Sequence, residues 1–80
     1  MTRDLVLAKV TEAGAGFTFV LDGKTCGMEY EGSSGRFVYT LWYGEAIREY
    51  RDPELMMADR FFGGRSLNEL IDAGIALDFF

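Results

Sequence analysis

Eighty residues with a net charge of −5, 49% hydrophobic side chains and no histidine describe one small acidic domain. The absent histidine excludes Ser-His and Cys-His catalysis and imidazole-bound zinc, and the lone Cys26 excludes an internal disulfide or a multi-cysteine metal site. No stretch approaches the roughly 18 consecutive apolar residues of a membrane span, and the charged start "MTRDLVLAKVTE" lacks the apolar core of a secretion signal, so a cytoplasmic protein is expected.

In chain order, "LVLAKV" (5–10) is a short apolar run with Lys9 near its end and reads as a strand, followed by a flexible turn at "EAGAG" (12–16). "FTFVL" (17–21) is the next strand, with Phe17, Phe19 and Leu21 on one face. Asp22-Gly23 is a strong hairpin signal, because both residues tolerate positive φ. "KTCGMEYE" (24–31) returns with Cys26, Met28 and Tyr30 on one side and Thr25, Glu29 and Glu31 on the other. After a turn at "GSSG" (32–35), "RFVYTLWY" (36–43) alternates Phe37, Tyr39, Leu41 and Tyr43 against Val38, Thr40 and Trp42. Both of its faces are apolar, which places it inside a sheet. "GEAIREYR" (44–51) fits either period, and Gly44 directly after a long strand favours a tight turn and a fifth strand.

The chain then turns helical. Asp52 at N-cap, Pro53 at the first helical position and Glu54 in the first turn start a helix expected to run to Arg60 or Phe61 and to end at Gly63-Gly64. Of Met56-Met57, one is expected in the core and one beside it. "SLNE" (66–69) is a capping box opening a second short helix, bounded by Gly74. "IALDFF" (75–80) alternates and reads as a terminal strand that must pair.

Four patterns touch on chemistry, and each has a simpler structural account. In "RFFGGRSLNEL" (60–70) a phosphate loop would need a further glycine five residues before Gly64, where Asp59 stands, and a lysine where Arg65 stands. The glycines and Ser66 serve as helix stop and cap. Glu29 and Glu31 share a strand face about 7 Å apart, a pairing used in glycoside hydrolysis, but a chain this short rarely shapes the necessary cleft. "GRFVYTLWY" has the basic residue and spaced aromatics of an RNA-binding strand without its intervening glycine, and in the wrong element order. Cys26, in mid-strand with no base, reads as a small buried hydrophobe. No catalytic, metal-ligating or cofactor-binding residue is assigned, and no cofactor is expected.

The remaining signal is a surplus of aromatic side chains and an uneven charge. Seven Phe, four Tyr and one Trp are many for a chain of this size to bury. Residues 45–80 hold eight acidic and four basic side chains, against five and four in residues 1–44. Aromatic anchors and acidic surroundings together suit a protein partner with a basic surface, or a second copy of the chain, and disfavour direct nucleic-acid contact. The candidate contact residues are Tyr30, Tyr39, Trp42, Tyr43 and Tyr50, with Glu45 and Glu49.

"RDPELMMADRFFGGRSLNEL" (51–70), a quarter of the chain, resembles the C-terminal end of small proteins from bacterial phages and mobile elements: a short helix, a phenylalanine-glycine turn, then basic-Ser-Leu and a helix. The resemblance carries no functional residue onto this chain. It implies an origin in which small acidic domains bind and block host proteins. The expected fold is α+β: an antiparallel sheet of five or six strands, from an N-terminal meander and a C-terminal strand, with two short helices on one face. The expected function is a non-catalytic protein-binding module that uses an open aromatic sheet face; self-assembly into a structural or homodimeric protein is the alternative.

Overall fold

The computed structural model describes residues 1–80, the side chain of Ser33 excepted. It is an α+β fold with the order α1 (Arg3–Ala13), β1 (Phe17–Leu21), β2 (Lys24–Ser33), β3 (Arg36–Tyr43), β4 (Ala46–Tyr50), α2 (Pro53–Ala58), α3 (Leu67–Asp72) and β5 (Asp78–Phe79). The five strands form one antiparallel sheet in the order β4-β3-β2-β1-β5. Each neighbouring pair within the meander is joined by a two-residue turn, at Asp22-Gly23, Ser34-Gly35 and Gly44-Glu45. The second of these is tighter than the four-residue turn expected at 32–35, because Gly32 and Ser33 pair with Phe37 and Arg36.

The first correction falls on residues 5–10, which are helix. Thr2 caps α1 by accepting the Leu5 N–H at 3.2 Å, and Asp4 adds negative charge to the first turn. The expected turn at 12–16 is in part the end of this helix: Gly14, at φ 64, donates its N–H to the Lys9 carbonyl. Between the caps, Val6 and Val10 lie one turn apart and are fully buried. The run reads equally well at either period; the caps on both sides decide it.

Three helices, not two, therefore pack on the sheet, and all of them on one face. A single core joins Val6 and Val10 of α1, Met56 and Met57 of α2, and Leu67, Leu70 and Ile71 of α3 to Phe17, Phe19, Cys26, Met28, Tyr39 and Leu41 of the sheet. Both methionines are core residues, where one had been expected beside it. Cys26 is buried as expected, and burial pushes its thiol up. The α2 helix stops at Ala58, short of Arg60, because Asp59 leaves the helical region (φ −71, ψ 132) and turns its carboxylate to Tyr50 and Arg48.

The capping box of α3 closes in both directions. The Glu69 N–H donates to Ser66 Oγ and the Ser66 N–H donates to Glu69 Oε1, each at 3.1 Å. Arg3 forks onto the Asp72 carboxylate and ties the start of α1 to the end of α3. Of the strand expected over 75–80, only Asp78 and Phe79 pair, opposite Thr18 and Phe17, and the Phe80 N–H adds one bond to the Gly16 carbonyl at 3.0 Å. Ile75 is used instead to close α3, donating its N–H to the Leu70 carbonyl.

Candidate functional site

Strand alternation sorts six of the seven candidate residues onto opposite faces of the sheet, and the seventh lies in a turn. Tyr30 is opposite Tyr39 and Tyr39 is opposite Tyr50, so these three stand on the helix-covered face in one cross-strand row. Tyr43, two residues on from Leu41, stands on the same face. Trp42 and Glu49 stand on the other face, and Glu45 sits in the β3–β4 turn. The expected open aromatic face thus holds one strand aromatic, Trp42; the tyrosines belong to the core side.

There the tyrosines make fixed structural contacts. Tyr39 is 5% exposed. Tyr30 lies 5.5 Å from it, ring centre to ring centre, and stacks on Phe37 at 5.7 Å. The Tyr43 hydroxyl donates to Asp22 Oδ2 at 2.7 Å, and Arg65 from the loop before α3 reaches the same oxygen at 2.5 Å. These donors, the Tyr43 hydroxyl first, hold the Asp22 carboxyl below its usual value, and the carboxylate in turn raises the Tyr43 phenol. Arg65, which a phosphate loop would aim at a ligand, is thereby committed to holding the β1–β2 turn against the α2–α3 loop. The Tyr50 hydroxyl donates to Asp59 Oδ2 at 2.5 Å, beside Arg48 at 2.8 Å. Burial first, and then the Asp59 carboxylate, push the Tyr50 phenol up to about 12. None of these groups is an unused acid or base.

The face away from the helices is built differently. It carries Thr18 and Val20 of β1, Thr25, Gly27, Glu29 and Glu31 of β2, Val38, Thr40 and Trp42 of β3, and Ile47 and Glu49 of β4, by the register of the ladders. Trp42 lies flat across Gly27: a Cβ placed there would stand 2.4 Å from Trp42 Cζ2. Phe80 covers Gly16 in the same way, at 2.6 Å from its Cζ. Both glycines are seats for aromatic rings, which sequence inspection did not detect because the ring and its seat lie far apart in the chain. Val20 and Ile47 are each 68% exposed. The carboxylates on this face come from Glu29, Glu31 and Glu49, with Asp78 on β5 beside Thr18. Arg36, at the far end of β3, is its one basic residue among those described.

A shallow hollow of about 270 Å³ between Glu29, Glu31, Thr40 and Phe80 marks where the sheet face meets the end of the chain. Glu29 and Glu31 do share a face, as the spacing implies, and Gly14, Gly16 and Tyr30 line the hollow with them. Among the described residues, no three His, Cys, Asp or Glu side chains converge as metal ligands would, and no helix is long and apolar enough to cross a membrane. What the face offers is area: a partly exposed indole with a branched aliphatic on the next strand, threonines between, and carboxylates around. Compared with protein-family models, with characterised proteins and with solved structures, the chain matches none.

Proposed function

We propose that this chain is a non-catalytic protein-binding module whose contact surface is the open face of the sheet, centred on Trp42. The observation that carries the reading is the one-sided covering of the sheet: three helices share one face and leave the chain's single tryptophan on the other, within a field of carboxylates. Tryptophan at the centre of a patch supplies large contact area at small entropic cost, and a rim of one charge steers encounter and selects a partner of the opposite charge. The partner on this reading is a protein with a basic surface. With the resemblance of residues 51–70 to phage and mobile-element proteins, the module acts by occupying and blocking a host or defence protein.

The test is affinity capture from a nuclease-treated bacterial lysate with the wild-type chain, with Trp42→Ala, and with Glu29→Lys/Glu49→Lys. A stoichiometric partner lost with both variants supports the reading. Capture unaffected by either variant refutes it, as does light scattering that shows a tight, concentration-independent dimer with the indole buried between copies.

A further inference from the structure

Beside the open face, the sheet has a bare edge. β4 ends the ladder with β3 on one side only. Its connection to β3 is the two-residue turn Gly44-Glu45, with Gly44 at φ 59, so the flanking pair Tyr43 and Ala46 exchange hydrogen bonds and the pattern alternates from there. Ala46, Arg48 and Tyr50 therefore turn their backbone groups to β3. Ile47 and Glu49 turn theirs outward, and among the described residues no backbone bond from another element reaches them.

The same edge is flanked on both sides by unfilled contact surface. On the helix side, β4 and α2 enclose a groove of about 340 Å³ lined by Tyr50, Leu55, Ala58 and Asp59, with Leu55 63% exposed. On the open side stand Ile47 and Glu49. An extended segment laid along β4 would place alternate side chains into these two settings, since successive residues of a strand point to opposite faces.

A second copy of the chain fits this edge poorly. Antiparallel pairing of two β4 strands across a two-fold axis that keeps three or more β4 residues in register is centred on Ile47, Arg48 or Glu49. The first sets Glu45 against Glu49, the second Arg48 against Arg48, and the third Glu49 against Glu49. Each puts like charges directly opposite, which is destabilising, a common means of keeping edges from self-pairing. Charge complementarity points instead to a foreign strand with a basic residue facing Glu49.

We propose that β4 accepts an extended segment of a partner protein as a sixth strand, with an apolar side chain in the Tyr50–Leu55 groove and a lysine or arginine opposite Glu49. This rests on the binding-module reading and names the chemistry of the partner. The probe is a synthetic peptide of about seven residues alternating valine and lysine, titrated into the ¹⁵N-labelled full chain, with an alternating valine-glutamate peptide as control. The expected result is a shift of the Ile47 and Glu49 amides, with slowed hydrogen exchange, for the lysine peptide alone. Ile47→Pro removes an outward N–H that an edge strand does not need for folding, and Leu55→Asp alters an exposed groove wall; each weakens binding roughly tenfold or more. Glu49→Lys transfers the preference to the glutamate peptide.

Binding of both peptides equally, shifts confined to Trp42 and Thr40, or protection of the β4 amides that grows with protein concentration in the absence of peptide each overturn the proposal. If Trp42→Ala abolishes partner capture while Ile47→Pro leaves it intact, the added strand is wrong and the binding module stands. If neither variant affects capture, both fall.

Discussion

Gly27→Ala is the substitution that most directly probes how the open face is built. The new methyl carbon would stand 2.4 Å from Trp42 Cζ2 and 2.5 Å from the Phe17 carbonyl oxygen, where ordinary contact begins near 3.4 Å. The indole can swing aside, at the loss of its packing on the sheet. The carbonyl cannot, because Phe17 pairs with Met28 in the β1–β2 ladder and moving it means parting two strands of the core. Overpacking of this kind costs about 1–3 kcal/mol, against a gain of about 0.4–1 kcal/mol from stiffening the unfolded chain. A net loss of about 1.3 kcal/mol lowers the thermal midpoint of so small a domain by roughly 5–10 °C.

Urea unfolding followed by tryptophan fluorescence measures both parts at once, since the chain has one tryptophan and its emission reports the displaced ring. A double-mutant cycle, followed by far-ultraviolet circular dichroism because Trp42→Ala removes the only tryptophan, separates them. With Trp42→Ala already in place the ring clash is gone, so Gly27→Ala should cost less, by about 0.5 kcal/mol or more, and the residue of the cost belongs to the Phe17 carbonyl. A Gly27→Ala variant as stable as the wild type, with unchanged emission, would refute the placement of the indole on Gly27 and with it the geometry of the proposed contact surface.

Three further outcomes follow from other parts of the fold. Gly14→Ala should destabilise by about 1 kcal/mol, because an L residue is forced into the left-handed region that ends α1; a stabilised variant in urea unfolding would mean that the segment does not end in this cap. Ser66→Ala should cost about 1 kcal/mol through loss of the α3 cap, and should let the Glu69 carboxyl rise only part of the way toward its ordinary value in an NMR titration, because the backbone N–H of residue 66, first among the groups that hold it down, is kept and only the hydroxyl is lost. Tyr50 should ionise only well above the range of an ordinary phenol as alkali is added. Its folded value of about 12 lies above the roughly 10 of a free phenol, so its contribution to stability is complete below pH 10 and lost as pH rises through 12. Tyr50→Phe should remove that late step from the near-ultraviolet absorbance titration and raise the Asp59 carboxyl, which the Tyr50 hydroxyl and then Arg48 hold down.

The strands of the meander were legible because every local signal agreed. Alternation from Phe17 to Tyr43, turn residues tolerant of positive φ, and β-branched and aromatic content all specify the same ladders, and the caps at Asp52 and Ser66 start helices where they stand. Gly44 correctly tipped residues 44–51 toward an edge strand. The failures lie where short segments depend on tertiary partners. "LVLAKV" holds an i, i+4 pair as well as an alternating one, and only Thr2 and Gly14, outside the run, show which is used. The C-terminal strand shrinks to Asp78–Phe79, opposite Thr18 and Phe17, because Ile75 upstream is consumed in closing α3.

The candidate site was harder to read for a related reason: composition counts aromatics but does not say which way they face. Parity along β3 already separates Trp42 from Tyr39 and Tyr43, and the register then carries Tyr30 and Tyr50 to the side of Tyr39. What parity leaves open is which side the helices cover. That is decided by volume. The face with Phe17, Phe19, Met28 and Leu41 offers large apolar side chains on three adjacent strands, whereas the other sets Val20, Val38, Trp42 and Ile47 among Gly27, three threonines and three glutamates. Helices bearing Val6, Met56 and Leu67 gain far more by covering the first. The tyrosines are drawn into that layer, the hydroxyls of Tyr43 and Tyr50 reaching Asp22 and Asp59 at its rim, while Trp42 stays outside, seated on Gly27, where no side chain displaces it. The tryptophan is thus left partly exposed by the same packing that stabilises the fold.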